Sequence, residues 1–84
     1  MKSTWIANYY GTEIRIENSW FKGESLYIDG KLQDKQFNAF SAGLTGKITT
    51  SDGEKLIKVN LGGFFTINCH LFIDNEMIEV KKIK

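Results

Sequence analysis

The sequence predicts an all-β domain, a single small antiparallel β-sandwich of about eight strands, with a flattened barrel as the alternative. Three observations lead to this prediction. Apolar residues alternate with polar ones at a period of two, and the spacing of a core helix is not sustained anywhere. The chain has eight glycines and no proline, a composition that suits strands divided by turns. Asp-Gly pairs also separate several runs of strand-forming residues, which indicates hairpins.

Length and charge limit the classes of function. Eighty-four residues make one domain, covering 1–84. Apolar residues make up 42% and charged residues 25% of the chain, which is typical of a globular protein. The net charge of +1 provides no long-range attraction to nucleic acid or to an anionic membrane.

The single cysteine, Cys69, excludes an intrachain disulfide. The first residues lack the apolar core of a signal peptide, and no apolar run approaches the roughly 18 to 20 residues of a spanning helix. These features predict a cytoplasmic protein, since lone thiols are usual in a reducing compartment.

The first two strands are expected at residues 4–10 and 12–18, with Gly11 between them. The first is rich in strand-forming residues. The second alternates regularly, so that Ile14 and Ile16 point to the core and the charged residues between them face solvent.

The first hairpin is expected to join strands 24–28 and 31–35 through Asp29-Gly30, because a type I′ turn needs positive φ at both central residues. The loop 18–23 that precedes it carries Trp20 and Phe21. After the hairpin, residues 36–43 read as an irregular connection with at most one helical turn.

The second half begins with a strand at 44–50 that turns Ile48 inward. An Asp-Gly turn at 51–53 leads into strand 54–61. There Ile57, Val59 and Leu61 share one face, while Leu56 falls on the opposite face, where it can cover a sheet edge or join a partner surface.

Residues 64–73 form the longest apolar run and predict a central strand. Asp74-Asn75 then turns the chain, and residues 77–82 close the domain with Ile78 and Val80 facing the core. The two halves match at Leu26 and Leu71, at Ile28 and Ile73, and at Asp29 and Asp74. Two similar sheets related by a pseudo-twofold axis would follow from this repeat.

The opening half resembles a known group of proteins. Asn18-Ser19-Trp20, Gly23 and the run from Leu26 to Asp34 are similar to an Asn-Ser-Trp…Gly…Leu-Tyr-Val-Asp-Gly-x-Leu-x-Asp pattern. That pattern occurs in small uncharacterised bacterial all-β proteins. The hairpins also resemble those of the β-sandwich domains of the Fas apoptotic inhibitory molecule. Both resemblances imply an antiparallel sandwich, and neither implies an activity.

No pattern in the sequence predicts catalysis or a cofactor. Gly46-Lys47 lacks the phosphate-loop context, because Ser41 and Ile48 stand where that motif needs a glycine and a hydroxyl residue. Cys69 and His70 are adjacent on a strand and therefore point to opposite faces. One histidine and one cysteine also fall short of the four ligands of a structural zinc site. We expect a protein that is not an enzyme and holds no metal or cofactor.

The candidate binding residues are Trp20, Phe21 and Tyr27, because aromatic side chains in a loop, here Trp20 and Phe21, can anchor a partner. The alternative for these two loop residues is a structural plug that closes the open end of the sandwich. The three candidate residues favour a protein-interaction or assembly module that binds an unknown protein, with a homodimer through sheet edges as one form. Two alternatives remain. One is a small barrel binding single-stranded nucleic acid, against which the interleaved acidic residues argue. The other is a small-ligand or carbohydrate binder that uses Trp20 and Tyr27.

Overall fold

Two antiparallel sheets form the molecule. The structure, a computed structural model, describes residues 2–19, 23–36, 41–62 and 68–83. Strands in these segments are β1 (Lys2–Tyr9), β2 (Thr12–Ser19), β3 (Gly23–Ile28), β4 (Lys31–Gln36), β5 (Ser41–Thr50), β6 (Gly53–Gly62), β7 (Asn68–Ile73), β8 (Glu76–Ile78) and β9 (Lys81–Lys82). The five-stranded sheet has the order β4-β3-β2-β1-β9, and the four-stranded sheet has the order β5-β6-β7-β8. The sheets do not close into a barrel, so the all-β sandwich prediction is confirmed.

The core lies between the inner faces of the two sheets. Both sheets contribute to it, and the inward alternation expected for β2 and β6 is confirmed. The fully buried side chains are Ile14, Ile16, Leu26, Leu44, Ile57, Val59, Leu71 and Ile73. Burying each of these side chains stabilises the fold by about 1.5–3 kcal/mol. The sandwich is therefore held together mainly by residues at alternate positions of its inner strands.

Gly46, on the inner side of β5, lies against side chains of the opposite sheet. A Cβ atom there would lie 3.1 Å from Cδ2 of Leu26 and 3.4 Å from Cβ of Gln33. A Cβ atom at this position would therefore force the Leu26 side chain to shift by a few tenths of an ångström. The residue that resembles part of a phosphate loop in sequence is thus a packing residue between two sheets.

The turns use their Asp residues in two ways. Asp29 and Gly30 have φ of 49° and 81°, so the positive φ expected at both central residues is confirmed. Asp52 and Gly53 behave differently, because the turn lies at 51–52 and Gly53 follows it with φ of 112°. A type I turn followed by a glycine with positive φ has this arrangement.

Two boundaries differ from the sequence prediction. Strand β5 begins at Ser41 rather than at residue 44, because its pairing with β6 extends to Gly62. The closing segment 77–82 is not one strand: β8 pairs with β7, while β9 crosses to β1 of the other sheet. The crossing satisfies the open side of β1, where the Ile83 N–H donates to the Thr4 carbonyl at 2.9 Å. Ile78 and Val80 still pack against the core, as expected.

Part of the prediction lies outside the described residues. This applies to Trp20 and Phe21, to the connection at 37–40, and to residues 63–67 at the start of the predicted central strand. The described part of that strand, β7, lies between β6 and β8, so its inner position is confirmed for 68–73. Across the described segments, no helix is long and apolar enough to cross a membrane.

The strand registers reveal the repeat between the halves. In β2 and β3, Ile14 pairs with Ile28, and in β6 and β7, Ile57 pairs with Ile73. Strands β1 to β4 and strands β5 to β8 therefore form two equivalent four-stranded meanders, one in each sheet. The repeat expected from the matching residues is present in the architecture.

Candidate functional site

The outward-facing residue Tyr27 lies in the middle of the five-stranded sheet. It is half-buried on β3 and pairs with Arg15 on β2 and with Leu32 on β4. Arg15 in turn pairs with Ile6 on β1. These four side chains, here called the Tyr27 row, cross the outer face of the sheet from strand to strand, since directly paired residues share a face.

The cation of the Tyr27 row is held between two carboxylates. Nε of Arg15 lies 3.9 Å from Oε1 of Glu13, and its Nη1 lies 3.6 Å from Oε2 of Glu17. Each exposed pair contributes less than about 1 kcal/mol. Together they fix the direction of the guanidinium and leave this part of β2 with an excess of one negative charge.

The four-stranded sheet carries an equivalent row on its own outer face. Phe72 on β7 pairs with Lys58 on β6 and with Met77 on β8, and Lys58 pairs with Thr45 on β5. We call these residues the Phe72 row. The two rows match strand by strand. In each meander the second strand supplies a cation, the third strand an aromatic ring and the fourth strand an exposed aliphatic side chain.

The aliphatic ends of both rows are open to solvent. Leu32 is 54% exposed and Met77 is 61% exposed, and Leu56 on the same face as Met77 is 40% exposed. Exposed large apolar side chains beside an aromatic ring are typical of contact surfaces. The prediction that Leu56 lies opposite the core residues of its strand is confirmed.

Of the three binding residues expected from the sequence, the described structure contains Tyr27. Trp20 and Phe21 lie outside it. Sequence reasoning missed Arg15 and Leu32 as neighbours of Tyr27. A two-residue turn at Asp29-Gly30 sets Tyr27 opposite Leu32, so the hairpin signal contained that pairing.

The edge between β4 and β5 is protected. The pairing of β4 with β3 shifts its register between Leu26 and Tyr27 of β3, which is the mark of a β-bulge. Beside it, the Asp34 carboxylate accepts the Lys35 N–H at 2.8 Å and the Thr45 N–H at 2.9 Å. One side chain thus occupies backbone donors of both edge strands, a usual defence against edge pairing.

The thiol of Cys69 and the imidazole of His70 lie on opposite faces of β7. Burial raises the pKa of the Cys69 thiol to about 12, so the nucleophilic thiolate is scarce at neutral pH. His70 is exposed on the opposite face of β7. Within the described segments, no group of three or more ligating side chains could hold a metal ion.

Comparisons with family models, with curated proteins and with solved structures found no match. The resemblance to the small bacterial all-β group and to the Fas apoptotic inhibitory molecule therefore stays a prediction. The candidate site rests on the geometry of the two rows.

Proposed function

We propose that the protein is a non-enzymatic assembly module of the cytoplasm whose partner is a second copy of the same chain. The two equivalent rows carry this proposal. An arginine and a tyrosine, residue types enriched at binding hot spots, lie in direct register at the centre of one face. The other face presents a lysine, a phenylalanine and a methionine at the same positions.

Charge supports a contact between unlike faces. On β2, the outward residues Glu13, Arg15 and Glu17 sum to one negative charge. The outward residues at the three matching positions of β6 are Leu56, Lys58 and Asn60. These sum to one positive charge. The outward side chains of β2 in one copy and of β6 in the next are therefore complementary in charge, whereas those of two copies of β2 are not.

The dimensions of the molecule are adequate for such a contact. Its principal extents are 38 × 20 × 20 Å. A stable interface needs about 800 Å² per partner, which is close to the whole area of one face. We expect weak association that depends on concentration, and a head-to-tail contact that can extend to short rows of molecules.

The sheet edges offer few backbone groups with which a second chain could pair. Strand β8 has three residues and β9 has two, and Asp34 occupies donors along the edge between β4 and β5. A homodimer through an edge is the alternative form of the same module. The variants Tyr27→Ala and Phe72→Ala distinguish an edge contact from a face contact.

Analytical ultracentrifugation over a range of concentrations tests the proposal, with Tyr27→Ala and Phe72→Ala as the variants. Each variant keeps one intact face, so each alone should lose most self-association. An equimolar mixture of the two should form a dimer and nothing larger, because one intact face of each kind is present. Tyr10→Ala removes an exposed ring outside both rows and is the matched control.

Other results would overturn the head-to-tail contact. If Tyr27→Ala abolished association while Phe72→Ala had no effect, like faces would be meeting. If neither variant changed the association of the wild-type protein, the contact would lie at an edge. A wild-type protein that stayed monomeric at millimolar concentration would refute self-assembly itself.

A further inference from the structure

A cleft at the turn end of the sandwich forms a second candidate site, separate from both outer faces. It has a volume of about 520 Å³ and lies between the β1–β2 turn and the β5–β6 hairpin. Its lining consists of Tyr9, Tyr10, Thr12, Thr49, Ser51 and Asp52, together with Thr50 and Lys55. The two meanders both contribute to it, so the cleft exists only in the assembled fold. Its size is within the usual range for small-molecule sites, which is about 300–1,000 Å³.

Tyr10 is the unusual residue of the cleft. It has φ of 50° and its side chain is 89% exposed. A bulky residue with positive φ is strained, and asparagine, aspartate or glycine is preferred at such positions. The turns at Asp29-Gly30 and Asp74-Asn75 follow that preference with positive φ at all four residues. A tyrosine held in this conformation in water costs stability without contributing to the core, which points to a role in contact with a ligand.

The ring of Tyr10 is positioned by its neighbour. Tyr9 and Tyr10 pack edge to face with their ring centroids 4.7 Å apart, a favourable aromatic geometry. One ring thus supports the other at the mouth of the cleft. An oriented, solvent-exposed aromatic face is well suited to the apolar C–H face of a sugar ring.

The polar groups of the cleft suit a neutral ligand. Asp52 brings the negative charge and Lys55 the positive charge of the lining. Nζ of Lys55 is engaged by Oδ2 of Asp74 at 3.4 Å, and this hydrogen bond, followed by the nearby Tyr9, raises the pKa of Lys55. The Lys55 ammonium is therefore already paired with a carboxylate of the protein, while the Asp52 carboxylate and several hydroxyl groups line the cleft.

Thr50 has an internal role in this arrangement. Its hydroxyl donates to the Gly53 carbonyl at 3.0 Å and accepts the Asp52 N–H at 3.2 Å. These bonds hold the β5–β6 turn and thereby place Asp52 at the rim. A carboxylate beside hydroxyl groups can accept hydrogen bonds from adjacent hydroxyls of a sugar.

We propose that this cleft binds a neutral oligosaccharide, with one sugar ring stacked on Tyr10 and its hydroxyl groups hydrogen-bonded to Asp52 and the neighbouring hydroxyl side chains. The site is independent of the two rows, so the proposal stands whether or not the protein self-associates.

NMR titration of the full chain with maltotriose, cellotriose and triacetylchitotriose tests the proposal, and a sulfated heparin disaccharide serves as the charged comparison. The amides of Gly11 and Gly53 report on the cleft, and that of Gly62 at the opposite end of β6 is the internal control. We expect at least one neutral trisaccharide to shift the first two amides and leave the third unchanged.

Two variants separate binding from folding. Tyr10→Asn removes the ring and suits a positive φ, so it should be at least as stable as the wild type and yet bind about tenfold more weakly. Tyr10→Phe keeps the ring and should bind nearly as well as the wild type. Failure of all three neutral sugars to shift the cleft amides at millimolar concentration would overturn the proposal. Binding of the sulfated sugar alone, or unchanged binding by Tyr10→Asn, would also overturn it.

Discussion

The two meanders share a register but differ in the last inward pair of their second and third strands. In the first meander, Asn18 on β2 pairs with Glu24 on β3. In the second, Leu61 on β6 pairs with Cys69 on β7. Asn18 and Glu24 are 8% and 4% exposed, and Nδ2 of Asn18 donates to Oε1 of Glu24 at 3.4 Å. The same place in the architecture is therefore polar in one half and apolar in the other.

This difference shows what the repeated scaffold requires at that position. A buried polar group costs free energy unless it has a hydrogen-bond partner. Among the described residues, no buried side-chain nitrogen or oxygen atom lacks such a partner. The scaffold accepts either a mutually satisfied polar pair or two apolar side chains, because in each case no buried group is left unsatisfied.

A second difference concerns the outer faces. Glu13 and Glu17 on β2 stand where β6 has Leu56 and Asn60. The repeat thus produces two faces with the same arrangement of cation and aromatic ring, in which these outward side chains of β2 and β6 sum to opposite charges. The head-to-tail assembly that we propose would bring these oppositely charged strands together.

The largest expected effect comes from breaking the polar pair. Glu24→Cys removes an acceptor of the buried Asn18 amide, so we expect the free energy of unfolding to fall by about 1–3 kcal/mol. The double variant Asn18→Leu/Glu24→Cys, which copies the apolar pair of the second half, should lose less than the sum of its two single variants. Urea denaturation of the wild type, both single variants and the double variant measures this coupling. A double variant with strictly additive losses would show that the two side chains do not act as a pair.

A moderate effect is expected from the two turn aspartates, which occupy equivalent positions. Oδ1 of Asp29 accepts the Glu13 N–H at 2.9 Å, and Oδ1 of Asp74 accepts the Leu56 N–H at 3.3 Å. Both residues have positive φ. Replacement of either by alanine should cost about 1–2 kcal/mol, since a hydrogen bond is lost and alanine tolerates this conformation poorly.

The shorter backbone hydrogen bond predicts that Asp29→Ala is the more destabilising of the two, because the Lys55–Asp74 ion pair that Asp74→Ala also removes is partly exposed and contributes little. Thermal or urea unfolding of both variants measures the difference. Asparagine keeps the acceptor and tolerates positive φ, so Asp29→Asn and Asp74→Asn are the matched controls and should remain close to the wild type. Greater destabilisation by Asp74→Ala would contradict the order that the lengths of the two hydrogen bonds predict.

The smallest effect near neutral pH concerns Cys69, which belongs to the apolar pair of the second meander. Its pKa is raised from 9.0 to about 12 in the folded protein, so the folded state holds the proton more strongly than the unfolded state. The stability that the protonated Cys69 thiol contributes is fully present below pH 9, and it declines as the pH rises from about 9 towards 12. We expect the wild type to lose stability relative to Cys69→Ala between pH 8 and pH 10.5. Parallel stability curves, or rapid alkylation of the native thiol by iodoacetamide at pH 8, would contradict the burial of this thiol.

The fold was predictable from the sequence because its main signals are local. Alternation at a period of two identified the inward faces of β2 and β6, since neighbouring side chains on a strand point in opposite directions. Asp29-Gly30 and Asp74-Asn75 located two turns, because few residues tolerate positive φ. The candidate site was only partly predictable: Tyr27 was identified, but the row also needed the pairing of β2 with β3, which no Asp-Gly signal in the sequence fixes.

Burial of polar residues was not predictable in the same way. The alternation that places Leu26 and Ile28 inward also places Glu24 inward. A glutamate is rarely buried unless it has a partner, and its partner Asn18 is on another strand. Whether Glu24 is satisfied depends on a pairing that composition and periodicity do not contain.

The sequence by itself determined the all-β class, the turns and most of the inward side chains, because these depend on interactions within a strand or a hairpin. The tertiary structure alone decided where the chain changes sheet after Ile78, because that crossing depends on backbone groups left unpaired along β1. It also decided that Asp34 guards an edge and that Tyr10 borders a cleft. Both arrangements join residues from different halves, which only the packing of one sheet against the other brings together.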